Sequence, residues 1–268
     1  MSHNLATVEG AVSDLQFAIR TTALAGHDVA GKTFDETLLR VRDGVLDTPA
    51  GTTAHLPAVY TTFTDDFLER IEVTGPGAVR ALVNLLDLQV WLAMLPETAQ
   101  VEMRFDGDPD RGVADELVID ARDERVTLDG SSDVDEFADI SIEMPMAFES
   151  GRFHFADDTA APTVARTSGE TLERIVDTVE VAGAETYPVH IDDEGLQLDI
   201  EAEGVRVEAS LPGTLMEGEP VANDYNDGFA AMARTLSGKI RIETGPGEPA
   251  AFVTEGQGYT LRVILEQG

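Results

Sequence analysis

The sequence predicts an α+β protein built from two tandem copies of one unit, each running helix, strands, helix, strands. Three observations carry this. Apolar residues recur at helical spacing in four separate segments. Between and after these segments the period switches to two, with Gly- and Asp-rich turns between the runs. The order is the same in both halves, a duplicated unit of about 130 residues, the linker counted into the second copy.

In order, Asn4 to Gly10 reads as a strand. Ser13 caps a helix in which Leu15, Ala18, Ile19, Thr22 and Ala23 share a face, with Gly26 just beyond. Leu38, Val41 and Val45 mark strands around the turn Arg42-Asp43-Gly44. Asp47-Thr-Pro-Ala-Gly-Thr-Thr reads as a loop, and Leu56 to Phe63 as a strand that Pro57 places at an edge. Thr74-Gly-Pro-Gly77 is expected to open a second helix carrying Val79, Leu82, Val83, Leu86, Val90 and Ala93. Strands at Gln100–Phe105, Glu116–Ala121 and Arg125–Leu128 close the first half.

Gly130 to Ala161 reads as an exposed, acidic connector with short strands at Ile140–Met144 and Gly151–Phe155. The expected organisation is an N-terminal domain at residues 1–129, a connector at 130–161 and a C-terminal domain at 162–268. The second half is the clearer one. Ser168 caps a helix with Leu172, Ile175, Val176 and Val179 on one face, and Gly183 follows it. A later helix carries Phe229, Met232, Ala233 and Leu236, capped by Asp224 or Asn226, with Gly238 as its stop. Ile240 and Ile242 then alternate with Lys239, Arg241 and Glu243, and Ala251, Val253, Leu261, Val263 and Leu265 continue the pattern.

The composition adds a constraint of another kind. The chain holds 51 acidic and 18 basic residues, a net charge of −33, with Lys32 and Lys239 its two lysines. The acids are spread along the whole chain, which favours adaptation to molar salt over an ordinary acidic surface. At 1 M salt the Debye length is about 3 Å, so the self-repulsion is screened there and not in dilute buffer. Hydrophobic residues make up 43%, enough for a real core, and there is no cysteine for a disulfide, a thiolate site or a nucleophile. No apolar run is long enough to span a bilayer, and no signal peptide is read before the first helix.

The second half also carries a resemblance. Leu172-Glu-Arg-Ile-Val with Val181-Ala-Gly-Ala, Tyr225 with Phe229 and Leu236-Ser237, Pro249 before Ala251-Phe252, and Gly258-Tyr-Thr-Leu-Arg-Val-Ile-Leu resemble the DNA sliding clamp of archaea and eukaryotes, proliferating cell nuclear antigen. The duplication extends the likeness to nearly the whole chain, and the charge suggests a divergent haloarchaeal or haloviral member. The resemblance implies two clamp-like domains in a ring, normally a homotrimer, with helices lining a hole around duplex DNA and antiparallel sheets outside. It implies a cytoplasmic, nucleoid-associated processivity factor. Such a protein is not an enzyme and carries no cofactor; it is loaded by a clamp loader and tethers DNA polymerase and other replication and repair proteins. Subunits would pair through strands near Arg125–Gly130 and Val205–Leu211.

By residue, the resemblance places Arg20, Arg80, Arg174 and Arg234, with Lys239 nearby, on the DNA-facing helices, where they would contact phosphates without reading bases. The alternative is that each is a solvated arginine paired with a neighbour such as Asp14, Asp177 or Asp227. This lining is less basic than the family's usual one. For the partner-peptide groove the resemblance offers Leu46, Leu265 and Glu266, with Glu266-Gln267 replacing the family's Ala-Pro ending. A clamp-like structural or regulatory protein without autonomous DNA clamping is the competing reading.

Catalytic and metal motifs are missing. His3, His27, His55, His154 and His190 share no ligand spacing. Asp106-Gly-Asp-Pro-Asp-Arg-Gly lacks the Gly and Glu positions of a calcium loop and reads as a hairpin turn. Gly75-Pro-Gly and Gly245-Pro-Gly lack the Lys-Ser/Thr of a phosphate loop. Trp91 lies in an apolar run, which favours core or subunit packing over base stacking.

Overall fold

The computed structural model describes residues 3–22, 36–52, 55–74, 77–122, 124–130, 151–202, 204–226 and 228–268. The chain forms two compact units. One comprises Met1–Thr52, Val59–Glu143 and Gly256–Leu261, and the other Thr53–Ala58, Met144–Glu255 and Arg262–Gly268.

From β1 to β9 the elements are β1 (His3–Ala11), α1 (Val12–Thr22), β2 (Glu36–Arg42), β3 (Val45–Thr52), β4 (His55–Thr64), β5 (Arg70–Val73), β6 (Val79–Asn84), α2 (Leu85–Met94), β7 (Gln100–Asp108), β8 (Val113–Ala121) and β9 (Glu124–Asp129). The second half repeats that order: β10 (Thr163–Ser168), α3 (Gly169–Ala182), β11 (Tyr187–Asp192), β12 (Gly195–Ala202), β13 (Val205–Leu211), β14 (Thr214–Glu217), β15 (Val221–Tyr225), α4 (Gly228–Thr235), β16 (Lys239–Thr244), β17 (Ala250–Gly256) and β18 (Tyr259–Leu265).

The duplication extends to the pairing. Antiparallel pairs β1–β7, β1–β5, β2–β3, β2–β6 and β7–β8 recur as β10–β16, β10–β14, β11–β12, β11–β15 and β16–β17. A sheet is built from side chains that alternate between faces, so the period-two runs at Met103–Phe105 and Ile240–Ile242 put their apolar positions inward and their charges outward.

Three sequence expectations fail here. Asp47-Thr-Pro-Ala-Gly-Thr, read as a loop, is strand β3. Its polar, turn-like composition hides a buried carboxylate: Asp47 has no exposed surface and accepts from Arg40 Nε and Nη2 at 3.1 and 3.0 Å and from Tyr60 at 3.1 Å. The second helix does not start near Pro76. Val79–Asn84 is strand β6, and α2 begins at Leu85 behind the Asn84 cap, whose side chain accepts from Asp87 N. Val79, Ala81 and Val83 alternate, but Leu82 and Leu85 fill in a helix-like spacing that masks the strand. Gly151–Phe155 is no strand either, only a bridge between His154 and Ala160. Gly26, the Pro76 turn and the Ile140–Met144 segment lie outside the described residues.

The first unit's core gathers Leu5, Val8, Leu15, Ile19, Leu39, Phe63, Leu88, Met103 and Phe105. Tyr259 joins it, its ring 5.1 Å from Phe17 and 5.4 Å from Phe67, which explains why Gly256–Leu261 groups with the first unit. In the second unit Tyr225, Phe229 and Phe252 pack ring on ring, with centroids 5.5 to 5.8 Å apart.

Candidate functional site

Each unit carries one pair of packed helices. In the first, α1 buries Leu15, Ala18 and Ile19, and Gln16 Nε2 ties it to α2 by donating to Leu92 O at 2.9 Å. Arg20 sits exposed in the last turn of α1, where a cation complements the helix dipole. Among the described residues no carboxylate reaches it. Arg80 is not on a helix at all: it lies in β6, opposite Arg40 of β2.

Helix α2 carries no basic residue. It buries Leu85, Leu88 and Leu92 inward. Outward it shows Leu86, Val90 and Met94, 64%, 49% and 66% exposed, at i, i+4 and i+8. Leu86 and Val90, with Ile19, Arg20 and Ala93, line a shallow groove of about 270 Å³. The α2 side of this groove offers a phosphate no cation, and the charge comes from Arg20 of α1.

In the second unit, the Ser168 side chain caps α3 by accepting from Thr171 N, and Gly183 at φ 71° ends it, both as the sequence predicts. The buried face is Leu172, Ile175, Val176 and Val179, which leaves Arg174 exposed. On α4, capped by Asn226 through Gly228 N, Arg234 is already engaged: Nη2 lies 2.5 Å from Glu180 Oε1 of α3. Lys239 is exposed at the start of β16. Across the four described helices, three arginines (Arg20, Arg174, Arg234) stand against six carboxylates (Asp14, Asp87, Glu170, Glu173, Asp177, Glu180).

The residues offered for a peptide groove are mostly inside. Leu46 belongs to the first unit's core, where β3 pairs it with Val41, and Leu265 is equally buried; Glu266 is exposed.

Among the described residues five strands pair with one neighbouring strand alone: β9 with β8, β13 with β12, β5 with β1, β14 with β10 and β15 with β11. Beside β9, Trp91 of α2 and Leu95 just after it line a narrow apolar cleft with Ile119 and Val126. The sequence reading of Trp91 as a packing residue fits this position.

The amino-acid sequence matches no family model and no curated protein. Solved structures do match, over nearly the full length of both chains. The fold is that of the sliding clamps. Proliferating cell nuclear antigen from Entamoeba histolytica superposes with a TM-score of 0.72 at 9% identity, covering 99% of this chain and 100% of that one. The A. fulgidus clamp bound to the C-terminal region of FEN-1 gives 0.72 at 13%, covering 98% of each. The PCNA2–PCNA3 complex from Sulfolobus tokodaii gives 0.68 at 13%, covering 97% and 98%. At these identities the likeness is one of fold.

Proposed function

We propose that this chain is the subunit of a DNA sliding clamp: a non-enzymatic, ring-forming processivity factor that encircles duplex DNA and tethers polymerase and other DNA-processing proteins. The observation that carries the reading is the repetition of the antiparallel strand pairing in two halves, with edge strands left in each. Free edges pair readily with another chain, and β9 and β13 are among the edges that the two units offer. Subunits joined head to tail through them generate a ring when the rotation closes. The sliding-clamp fold over the full length supports the same conclusion.

The helices would face DNA through Arg20 and Arg174, with Arg80, Arg234 and Lys239 secondary. Their sparse charge suits a link held by topology more than by affinity. A clamp loader and partner peptides belong to this reading. The A. fulgidus neighbour carries a FEN-1 segment; the residues offered here for such a segment are the exposed Glu266 and the buried Leu46 and Leu265. The net charge of −33 supports a halophilic archaeal or viral source, and the clamp reading brings with it a cytoplasmic, nucleoid-associated place of action.

The test is solution mass by light scattering on a size-exclusion column at ~2 M salt, where screening protects an acidic protein, followed by polymerase extension on primed circular DNA. A mass of three chains and longer products are expected. The cation-free outer face of α2 favours one competing reading, a clamp-like regulatory subunit without DNA clamping. An oligomer that leaves product length unchanged would establish that reading instead.

A further inference from the structure

The duplication puts equivalent strand positions into two chemical settings. Glu9 lies three residues before α1, and Arg166 lies three before α3. Glu9 faces Glu102 of β7 and Arg70 of β5, while Arg166 faces Arg241 of β16 and Thr214 of β14. Two residues further along, Arg104 of β7 is matched by Glu243 of β16. Three charges of the first unit are thus inverted in the second. The counter-charge is not: where β5 supplies Arg70, β14 supplies an uncharged threonine.

Like charges directly opposite each other destabilise a sheet. In the first unit that cost is removed, because Arg70 pairs with Glu9 and, at 3.2 Å, with Glu102. In the second unit Arg241 is held by Glu243 at 2.6 Å and Glu255 at 3.6 Å. Among the described residues no carboxylate reaches Arg166. None reaches Lys239 either, which sits opposite Ser168 and alternates with buried Ile240, so that it shares the face of Arg241. Arg166, Thr214 and Lys239 are all exposed.

We propose that this face of the second unit docks an extended acidic peptide segment of a partner protein, whose carboxylates supply the counter-charge that Thr214 does not. The proposal goes beyond the clamp reading and does not rest on it. The first unit argues for the ligand's chemistry: a side chain of opposite sign entering from the β5 position satisfies the like-charge pair there. Entry from the equivalent β14 position satisfies Arg166 here, and Thr214 is too short to block it. Spacing argues for an extended chain. Lys239 lies opposite Ser168, two residues from Arg166, or about 7 Å along the strand. An extended peptide has the same rise, so carboxylates on alternate residues meet Arg166 and Lys239 in turn. A nucleic-acid backbone fits less well. Glu217, Glu243 and Glu255 hold the neighbouring Arg152 and Arg241 and would repel a uniformly charged strand, whereas a peptide places its carboxylates singly.

The test is fluorescence anisotropy of a short labelled peptide alternating Glu and Ser, titrated with the full chain at ~1 M salt, where self-repulsion is screened. Saturable binding is expected, and none by a peptide alternating Gln and Ser. Arg166→Ala and Thr214→Glu should each weaken binding about tenfold, the first by removing a charge-assisted contact and the second by filling its place from within. Both positions are exposed, so neither variant should lower the melting temperature. Arg111→Ala, at an exposed arginine of the first unit, should bind as the parent does. No saturable binding of the Glu–Ser peptide, or equal binding by the parent and Arg166→Ala, overturns the proposal. Tighter binding of an oligothymidylate of equal charge, lost in Arg166→Ala, overturns it in favour of nucleic acid. A scattering mass that falls in Arg166→Ala overturns it in favour of a second copy of this chain.

Discussion

Arg152 Nε lies 3.3 Å from Oε2 of Glu243, a carboxylate with no exposed surface. Arg241 Nε holds the other oxygen at 2.6 Å, and the Phe153 amide donates to Oε2 at 2.7 Å. Arg152 also donates to Ala161 O, so one side chain fastens residues 152–161 onto β16. The sequence assigns this stretch to the connector; its described end is a built part of the second unit.

The clasp sets a stability prediction. Arg152→Ala and Arg241→Ala should each cost about 1–3 kcal/mol, the loss of charged hydrogen bonds to a buried acceptor. Together they strand a buried charge, and the double variant should lose ~3–5 kcal/mol. Urea unfolding at constant ionic strength measures this. A double variant no weaker than the singles would show that Glu243 relaxes into water.

Alkaline pH gives a second prediction. Burial pushes Tyr225 up to about 12, while an unfolded tyrosine ionises near 10. The folded state therefore holds a proton that the unfolded state has released. This stability is complete below pH ~10 and is lost as pH rises towards 12, up to roughly 3 kcal/mol. Burial and the Asp47 carboxylate raise Tyr60 as well, so it contributes in the same direction. Tyr225→Phe should flatten part of the decline in unfolding free energy between pH 9 and 11.5. An unchanged slope would place the alkaline loss elsewhere.

The three helix arginines should not behave alike. Arg20→Ala and Arg174→Ala should each lower the salt dependence of association with nicked circular DNA by about 0.9 in log–log slope, one phosphate contact apiece. Arg234→Ala should do less, because Glu180 already neutralises that guanidinium. Equal effects from all three, measured by retention against salt, would overturn this ranking.

Salt itself should stabilise the fold. With 51 acidic residues against 18 basic, raising salt from 0.2 to 2 M screens repulsion at every surface. A melting temperature higher by about 5–10 °C is expected, a few kcal/mol for a chain of this size. A flat or falling melting temperature by calorimetry would reject the halophilic assignment.

Much of the molecule is written locally. Ser168 and Gly183 mark the ends of α3 to within a residue, because a cap is set by the side chain and backbone freedom of the residue itself. The repeated element order follows from period alone, and the lack of cations along Leu85–Met94 can be read directly. Arg80 shows the limit: its neighbours Val79, Leu82 and Val83 satisfy both periods, and pairing with β2 and β8 selects the strand.

Composition and neighbours within a few positions were enough for the α+β class, the duplication, the caps of α3 and the acidic surface. The tertiary structure decided which carboxylates are buried, which strands are edges and which arginines are engaged. Glu243 meets Arg152 across 91 positions and Arg234 meets Glu180 across 54, and no local pattern encodes such distances. Edge status is likewise a property of the partner a strand lacks, so β9 and β13 acquire their meaning only once every other strand has been placed.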